Sequence, residues 1–163
     1  MKTLFLDHDG VLVTDNDFAC DENNLFDRMP FSKKCVLIVN EIIGLTDAEI
    51  VVSSDWRNDF SLEEMGQIYE MNGLIKKPIG YTPNSKLYKA NELENGRISE
   101  ILSWAEYHRI KNWVAIDDLK MFDLSPHFVH CPKHAEGLSL IGIKEKVLEA
   151  LKVDKIWPKG YRL

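Results

Sequence analysis

Three stretches of this chain end an apolar run on residues that carry charge or a hydroxyl. Leu4-Phe5-Leu6 runs into Asp7-His8-Asp9-Gly10, Ile50-Val51-Val52 into Ser53-Ser54, and Val114-Ala115-Ile116 into Asp117-Asp118. In an extended chain residues two apart point the same way, so Asp7 and Asp9 can converge while His8 turns elsewhere. Gly10 lets the backbone turn sharply and come close to a ligand. Carboxylates at strand ends are costly to bury unpaired, and a hard divalent cation with oxygen ligands answers that cost. A serine hydroxyl at the same edge can hydrogen-bond a phosphate oxygen without adding negative charge. Plainer accounts stand beside these. Asp7 and Asp9 also suit a solvated turn, and Ser53 and Ser54 a strand end that satisfies itself.

Stepping from the residues to the elements that hold them, the three runs read as buried strands of a parallel sheet. Between the first two, residues 13–31 are polar and irregular and read as a surface loop or flap ending near Pro30. Ser32 is the expected N-cap of a helix running to about Gly44, with Val36, Ile38, Val39, Ile42 and Ile43 on its apolar face. Ala48 to Ser54 makes the second strand. Ser61 and Glu64 form a capping box for a helix that stops near Asn72-Gly73. Residues 74–95, with Pro78, Gly80 and Pro83, read as an irregular excursion with room for a short strand. A helix is expected over Arg97 to Arg109, a third strand over Trp113 to Ile116, a short fourth over Phe128 to His130, and a closing helix over Leu138 to Leu151. Strands alternating with helices predict an α/β fold with a mainly parallel sheet and helices on both faces. Sites in such folds form at the carboxyl ends of the strands, where all three acidic or hydroxyl clusters lie.

At 163 residues the chain is expected to form a single domain over 1–163 with a true core. Its 45% hydrophobic and 28% charged residues are those of a soluble globular protein. No apolar run approaches the roughly 20 residues of a membrane span, and the opening Met1 to Gly10 is no signal peptide, so a cytoplasmic protein is expected, with no membrane partner. Cys20, Cys35 and Cys131 are irregularly spaced and argue against a disulfide framework. His130-Cys131-Pro132-Lys133-His134 lacks the second ligand pair of a structural zinc site, which leaves Cys131 as a small buried apolar residue. A net charge of −6 offers no global attraction for nucleic acid.

The pattern Asp7-His8-Asp9-Gly10-Val11-Leu12 after an apolar strand resembles motif I of the haloacid dehalogenase (HAD) superfamily of phosphotransferases. The later clusters fall in that family's order. Ser53 or Ser54 matches motif II, with Ser54 favoured because it lies nearer the loop. Arg97 matches the motif III cation, with Lys86 as second choice. Asp117-Asp118 matches motif IV. Ser54-Asp55-Trp56-Arg57 resembles the Ser/Thr-x-Trp-Arg signature of a capless branch that includes phosphatase domains associated with RNA repair. His8 departs from the commoner small or aliphatic residue between the two acids.

The resemblance implies a three-layer Rossmann-like HAD fold without a large cap domain. It also implies a Mg²⁺-dependent phosphohydrolase that forms an aspartyl-phosphate. Asp7 would be the nucleophile and Asp9 the general acid and base, with Ser54 and Arg97 completing the catalytic set. Asp7, Asp9 (through its backbone carbonyl) and Asp118 would hold the metal, with Asp117 beside them and bonded to the motif III cation, and Asp123 as a further supporting acid. Gly10, Ser53, Arg57 and Lys86 would contact substrate. Trp56 is expected to pack or anchor its loop; a surface ion pair with Asp55 or Asp59 is the plainer account of Arg57. The substrate expected is a phosphomonoester, either a nucleic-acid end or a nucleotide. Two rivals remain at this level, a receiver-like phospho-signalling domain and a non-catalytic HAD-like binding module. The physiological substrate and the oligomeric state are not legible.

Overall fold

The computed structural model describes residues 1–15, 31–84 and 92–152. Its centre is β1 (Lys2–Leu6), whose Leu4, Phe5 and Leu6 are fully buried. β1 pairs in parallel with β2 (Glu49–Val52) on one side and with β4 (Asn112–Asp117) on the other. The short β3 (Gly80–Tyr81) and β5 (Phe128–His130) flank these, giving the order β3-β2-β1-β4-β5, all parallel. Apolar runs free of polar residues suit these strands because both faces of the sheet are covered.

The pleat divides the core in two. Leu4, Leu6, Ile50, Val52, Val114 and Ile116 face helices α1 (Lys33–Thr46), α2 (Leu62–Met71) and α4 (Ile143–Ala150). Phe5, Val51, Trp113 and Ala115 face α3 (Leu93–Tyr107), where Phe5 meets Trp104 and Trp113 edge to face at 5.5 Å each. This is the three-layer α/β sandwich the strand pattern predicts. Between β1 and β2 the described residues hold α1, and between β2 and α3 they hold α2 and β3; neither interval adds a second folded layer among the described residues. Among the described residues no helix is long and apolar enough to cross a membrane.

Several boundaries differ from the sequence reading, each for a physical reason. The expected flap falls mostly on residues 16–30, outside the described residues, but its first members Val13 and Thr14 are buried. Ser32 precedes α1 as expected yet its side chain makes no capping bond there, and the helix ends at Thr46, where Asp47 takes a left-handed turn at φ 53°. Ser61 and Glu64 do form the capping box. α3 begins at Leu93, ahead of the expected Arg97, so the end of the expected excursion, Leu93 to Asn95, and Gly96 are helical. Glu94 in its first turn complements the helix dipole, and burial of Gly96, Arg97 and Ile98 fixes the segment against the sheet. The expected helix from Leu138 is a 3-10 turn, Gly137–Ser139, followed by α4, because Gly142 at φ 90° breaks the run and leaves Ile141 97% exposed.

Candidate active site

Strand register sets the site. Leu6 lies level with Val52 on one side and Ile116 on the other, so Asp7, Ser53 and Asp117 emerge together at the carboxyl edge. Backbone bonds from Ser53 N–H to the Leu6 carbonyl (2.9 Å) and from Asp7 N–H to the Ile116 carbonyl (3.1 Å) carry the alignment one residue past β1 and β2. The side-chain alternation that sends Phe5 and Ala115 toward α3 also sends Asp7 and Asp117 there.

Arg97 waits on that face. Its Nη1 donates to Asp7 Oδ1 (3.2 Å), to Asp117 Oδ2 (3.1 Å) and to the Ser53 carbonyl, and its Nη2 donates to Asp55 Oδ1 (3.3 Å). The side chain is only 5% exposed. Burial alone would depress its basicity, but Asp7, Asp117 and Asp55 outweigh that and hold it above its ordinary value. Arg97, the residue expected as the motif III cation, reaches these acids from the second turn of α3 rather than from its opening. Lys86, the second choice, lies outside the described residues.

The carboxylates of Asp7, Asp117 and Asp118 lie close enough to share an ion, with one oxygen from each within 4.8 Å of the others. Burial pushes Asp7 up to about 6, against the Arg97 guanidinium, which pulls it down. Asp117 is raised well above the carboxylate range, first by burial and then by Asp7. Among the described residues, protein cations do not neutralise this cluster. Arg97 is shared among three acids, and Asp118 has the 59% exposed His134 imidazole at 2.9 Å. Hard oxygen donors carrying excess negative charge are a donor set that fits Mg²⁺. Gly10 closes the other wall. At φ 71°, it is in a backbone region that disfavours a side chain, and a Cβ there would stand 2.9 Å from Asp118 Oδ2.

The remaining expected residues separate. The Ser54 hydroxyl hydrogen-bonds the Asp7 carboxylate and receives the Trp56 N–H at 3.5 Å. The Ser53 hydroxyl is buried with no partner among the described residues, and its carbonyl serves Arg97 instead. Of the two serines, Ser54 is the one whose hydroxyl meets the Asp7 carboxylate. The Asp9 carboxylate does not join the Asp7-Asp117-Asp118 cluster. It turns to the indole of Trp56, whose Nε1–H donates to Oδ2 at 3.0 Å. Burial raises the Asp9 carboxyl, and the Trp56 bond pulls the other way.

Arg57, expected to reach substrate or pair at the surface, forms its ion pair in the interior. Its Nη2 bonds Glu100 Oε2 at 2.7 Å, both side chains being 5% exposed or less, and its Nη1 bonds Thr82 Oγ1. That buried pair ties the 3-10 turn Asp55–Asn58 to α3 and to the residue after β3. Asp123 is exposed in the turn Phe122–Leu124 rather than supporting the site.

His8 turns away from the acids, as the strand period requires. It is buried against Phe31, Trp56 and Tyr69, bonds the Tyr69 hydroxyl at 2.8 Å, and is pushed down by burial to about 3, hence neutral. Cys131 is fully buried as expected. Two contacts bring histidines that follow a strand end to Asp118. His130 Nε2 meets the Asp118 carbonyl at 2.8 Å, and His134 meets the Asp118 carboxylate. The only signal for them was that residues 130–134 follow a strand end.

The model of one protein family, described as the HAD domain in Swiss Army Knife RNA repair proteins, matches residues 3–140. Searches of curated proteins and of solved structures returned no match. The matched span contains every element from β1 to the turn before α4, with both acidic strand ends and the Ser54-Asp55-Trp56-Arg57 turn. This chain belongs to the HAD superfamily, in the family of HAD domains found in RNA repair proteins.

Proposed function

We propose that this chain is a Mg²⁺-dependent phosphomonoesterase of the phosphoaspartate type, acting in a single domain on a phosphorylated RNA end. The observation that carries the reading is the convergence of Asp7, Asp117 and Asp118 on one point beside the buried Arg97.

In the first half-reaction an Asp7 carboxylate oxygen bonds to phosphorus while the bond to the leaving oxygen breaks, and Asp9 gives that oxygen a proton. In the second, a water gives a proton to Asp9 and attacks phosphorus. The aspartyl–phosphate bond breaks, inorganic phosphate leaves, and Asp7 returns as a carboxylate. Arg97 holds the Asp7 carboxylate toward its attack position and offsets charge as the phosphoryl group arrives. Ser54 supplies a hydroxyl at the same carboxylate. Asp7, Asp118 and the Asp9 backbone carbonyl would hold magnesium, with Asp117 beside them. Once bound, the ion lessens repulsion between the anionic nucleophile and the anionic phosphate.

The substrate class rests on two supports. The matched family is described by RNA repair. The intervals in which a cap would be inserted hold no second layer among the described residues, which suits a polymer end over an engulfed metabolite. The test is phosphate release from an aryl phosphate, from 3′- and 5′-phosphorylated oligoribonucleotides and from free nucleotides, with Mg²⁺ or with EDTA. Magnesium-dependent release favouring one oligonucleotide end supports the proposal. Magnesium binding without turnover of any substrate contradicts it and leaves a non-catalytic binding module.

A further inference from the structure

The least expected contact in the site joins an exposed acid to an aromatic ring. Trp56 Nε1–H donates to Asp9 Oδ2 at 3.0 Å. The indole is held on several sides, edge to face on His8 at 4.8 Å, tilted against Phe31 at 5.8 Å and against Phe60 at 6.1 Å. The turn that carries it is pinned from both ends. Ser54 caps it at its start, and Arg57 binds Glu100 of α3 and Thr82 near the edge strand. A ring fixed in this way aims its N–H in one direction. Asp9 has no other hydrogen-bond partner among the described residues, so this bond alone among them sets where its carboxyl points.

We infer that Trp56 is the positioning residue for Asp9, fixing one carboxyl oxygen so that the other is presented to the leaving oxygen of the phosphoester. The inference rests on the phosphatase reading above. An indole suits the task because it donates and cannot accept. It can bond Oδ2 whether Asp9 is a carboxylate or a carboxylic acid, and it never competes for the proton that Asp9 passes on. The same orientation then serves both halves of the reaction. An alcohol or amide in that place would offer an acceptor as well, and a guanidinium or ammonium would favour the charged carboxylate strongly. The shared turn also divides its labour, with Ser54 at Asp7, Asp55 at Arg97, Trp56 at Asp9 and Arg57 anchoring the whole.

The test compares esters that differ in their need for a general acid. Aryl phosphates with acidic leaving groups depart with little proton assistance, whereas alkyl phosphates depend on it. Trp56→Phe keeps a ring against His8 and Phe31 and removes the N–H. Its kcat for an alkyl phosphate should fall at least tenfold more than its kcat for 4-nitrophenyl phosphate, with KM for both within about threefold of wild type. Adding Trp56→Phe to Asp9→Asn should cost no further rate, since the two act on one group. Equal losses on both esters, or additive losses in the double variant, overturn the inference and leave Trp56 a packing residue. A measurement on the intact ring guards against a variant that fails to fold. One of the four tryptophan indole N–H resonances should move upfield in Asp9→Asn, and four unmoved resonances overturn the inference. A wild type inactive on both esters defeats the phosphatase reading itself and takes the inference with it.

Discussion

At the scale of single residues, the site is governed by an imbalance of charge. Asp7 and Asp117 are buried, share one guanidinium and stand beside Asp118. The sign of the resulting pH dependence is opposite to that of an ordinary salt-bridged acid. Asp7 ionises at about 6 in the folded chain against 3.8 when unfolded. Between those values the folded state holds the extra proton, so its contribution to stability is greatest below about 3.8 and declines as pH rises to about 6. Magnesium competes for the same carboxylates in their charged form. The rise in melting temperature on adding Mg²⁺ should therefore be small near pH 4 and grow through pH 6 to a plateau. A magnesium shift independent of pH would show that the ion binds elsewhere. The acids themselves were legible in the sequence, because an apolar run stopping on a carboxylate is a local signal. The partner of Asp9 was not, since Trp56 is distant in sequence and the bond depends on how the Asp55–Asn58 turn is hung.

At the scale of elements, register does most of the positioning. The parallel pairing and the helices on both faces followed from runs and caps that each element carries within itself, such as the Ser61–Glu64 box, whereas the strand order came only with the fold. What failed were features decided by packing. The expected helix starts at Arg97, yet burial of Gly96, Arg97 and Ile98 goes with a start at Leu93, and Gly142 interrupts a helix that periodicity alone would run through. Arg57 is the clearest case. Its type and place suggested phosphate, whereas the fold buries it on Glu100. Truncating one member of a buried ion pair takes away the opposite charge that compensates the other in a poor solvent. Arg57→Met should thus cost about 3–5 kcal/mol of stability, measured by urea unfolding. A phosphate ligand would instead show a raised KM with unchanged stability, and that pattern would contradict the clamp.

At the scale of the whole molecule, an open acidic edge on a chain of net charge −6 constrains how a polymer substrate is met. Recognition by many phosphate contacts would need a basic face and would weaken steeply with salt. A protein that engages chiefly the terminal phosphate should behave otherwise. The slope of log kcat/KM for a phosphorylated oligoribonucleotide against log salt should be shallower than about −2; a slope several times steeper would mean an extended contact surface. All of this presupposes that Asp7 is the nucleophile, and that claim has a direct test. Aryl phosphate hydrolysis by wild type and by Asp7→Asn would be compared with and without Mg²⁺, alongside unfolding curves for both proteins. The account predicts magnesium-dependent turnover in the wild type and a loss of at least about 10³-fold in a folded Asp7→Asn. Turnover by Asp7→Asn within tenfold of wild type would contradict it.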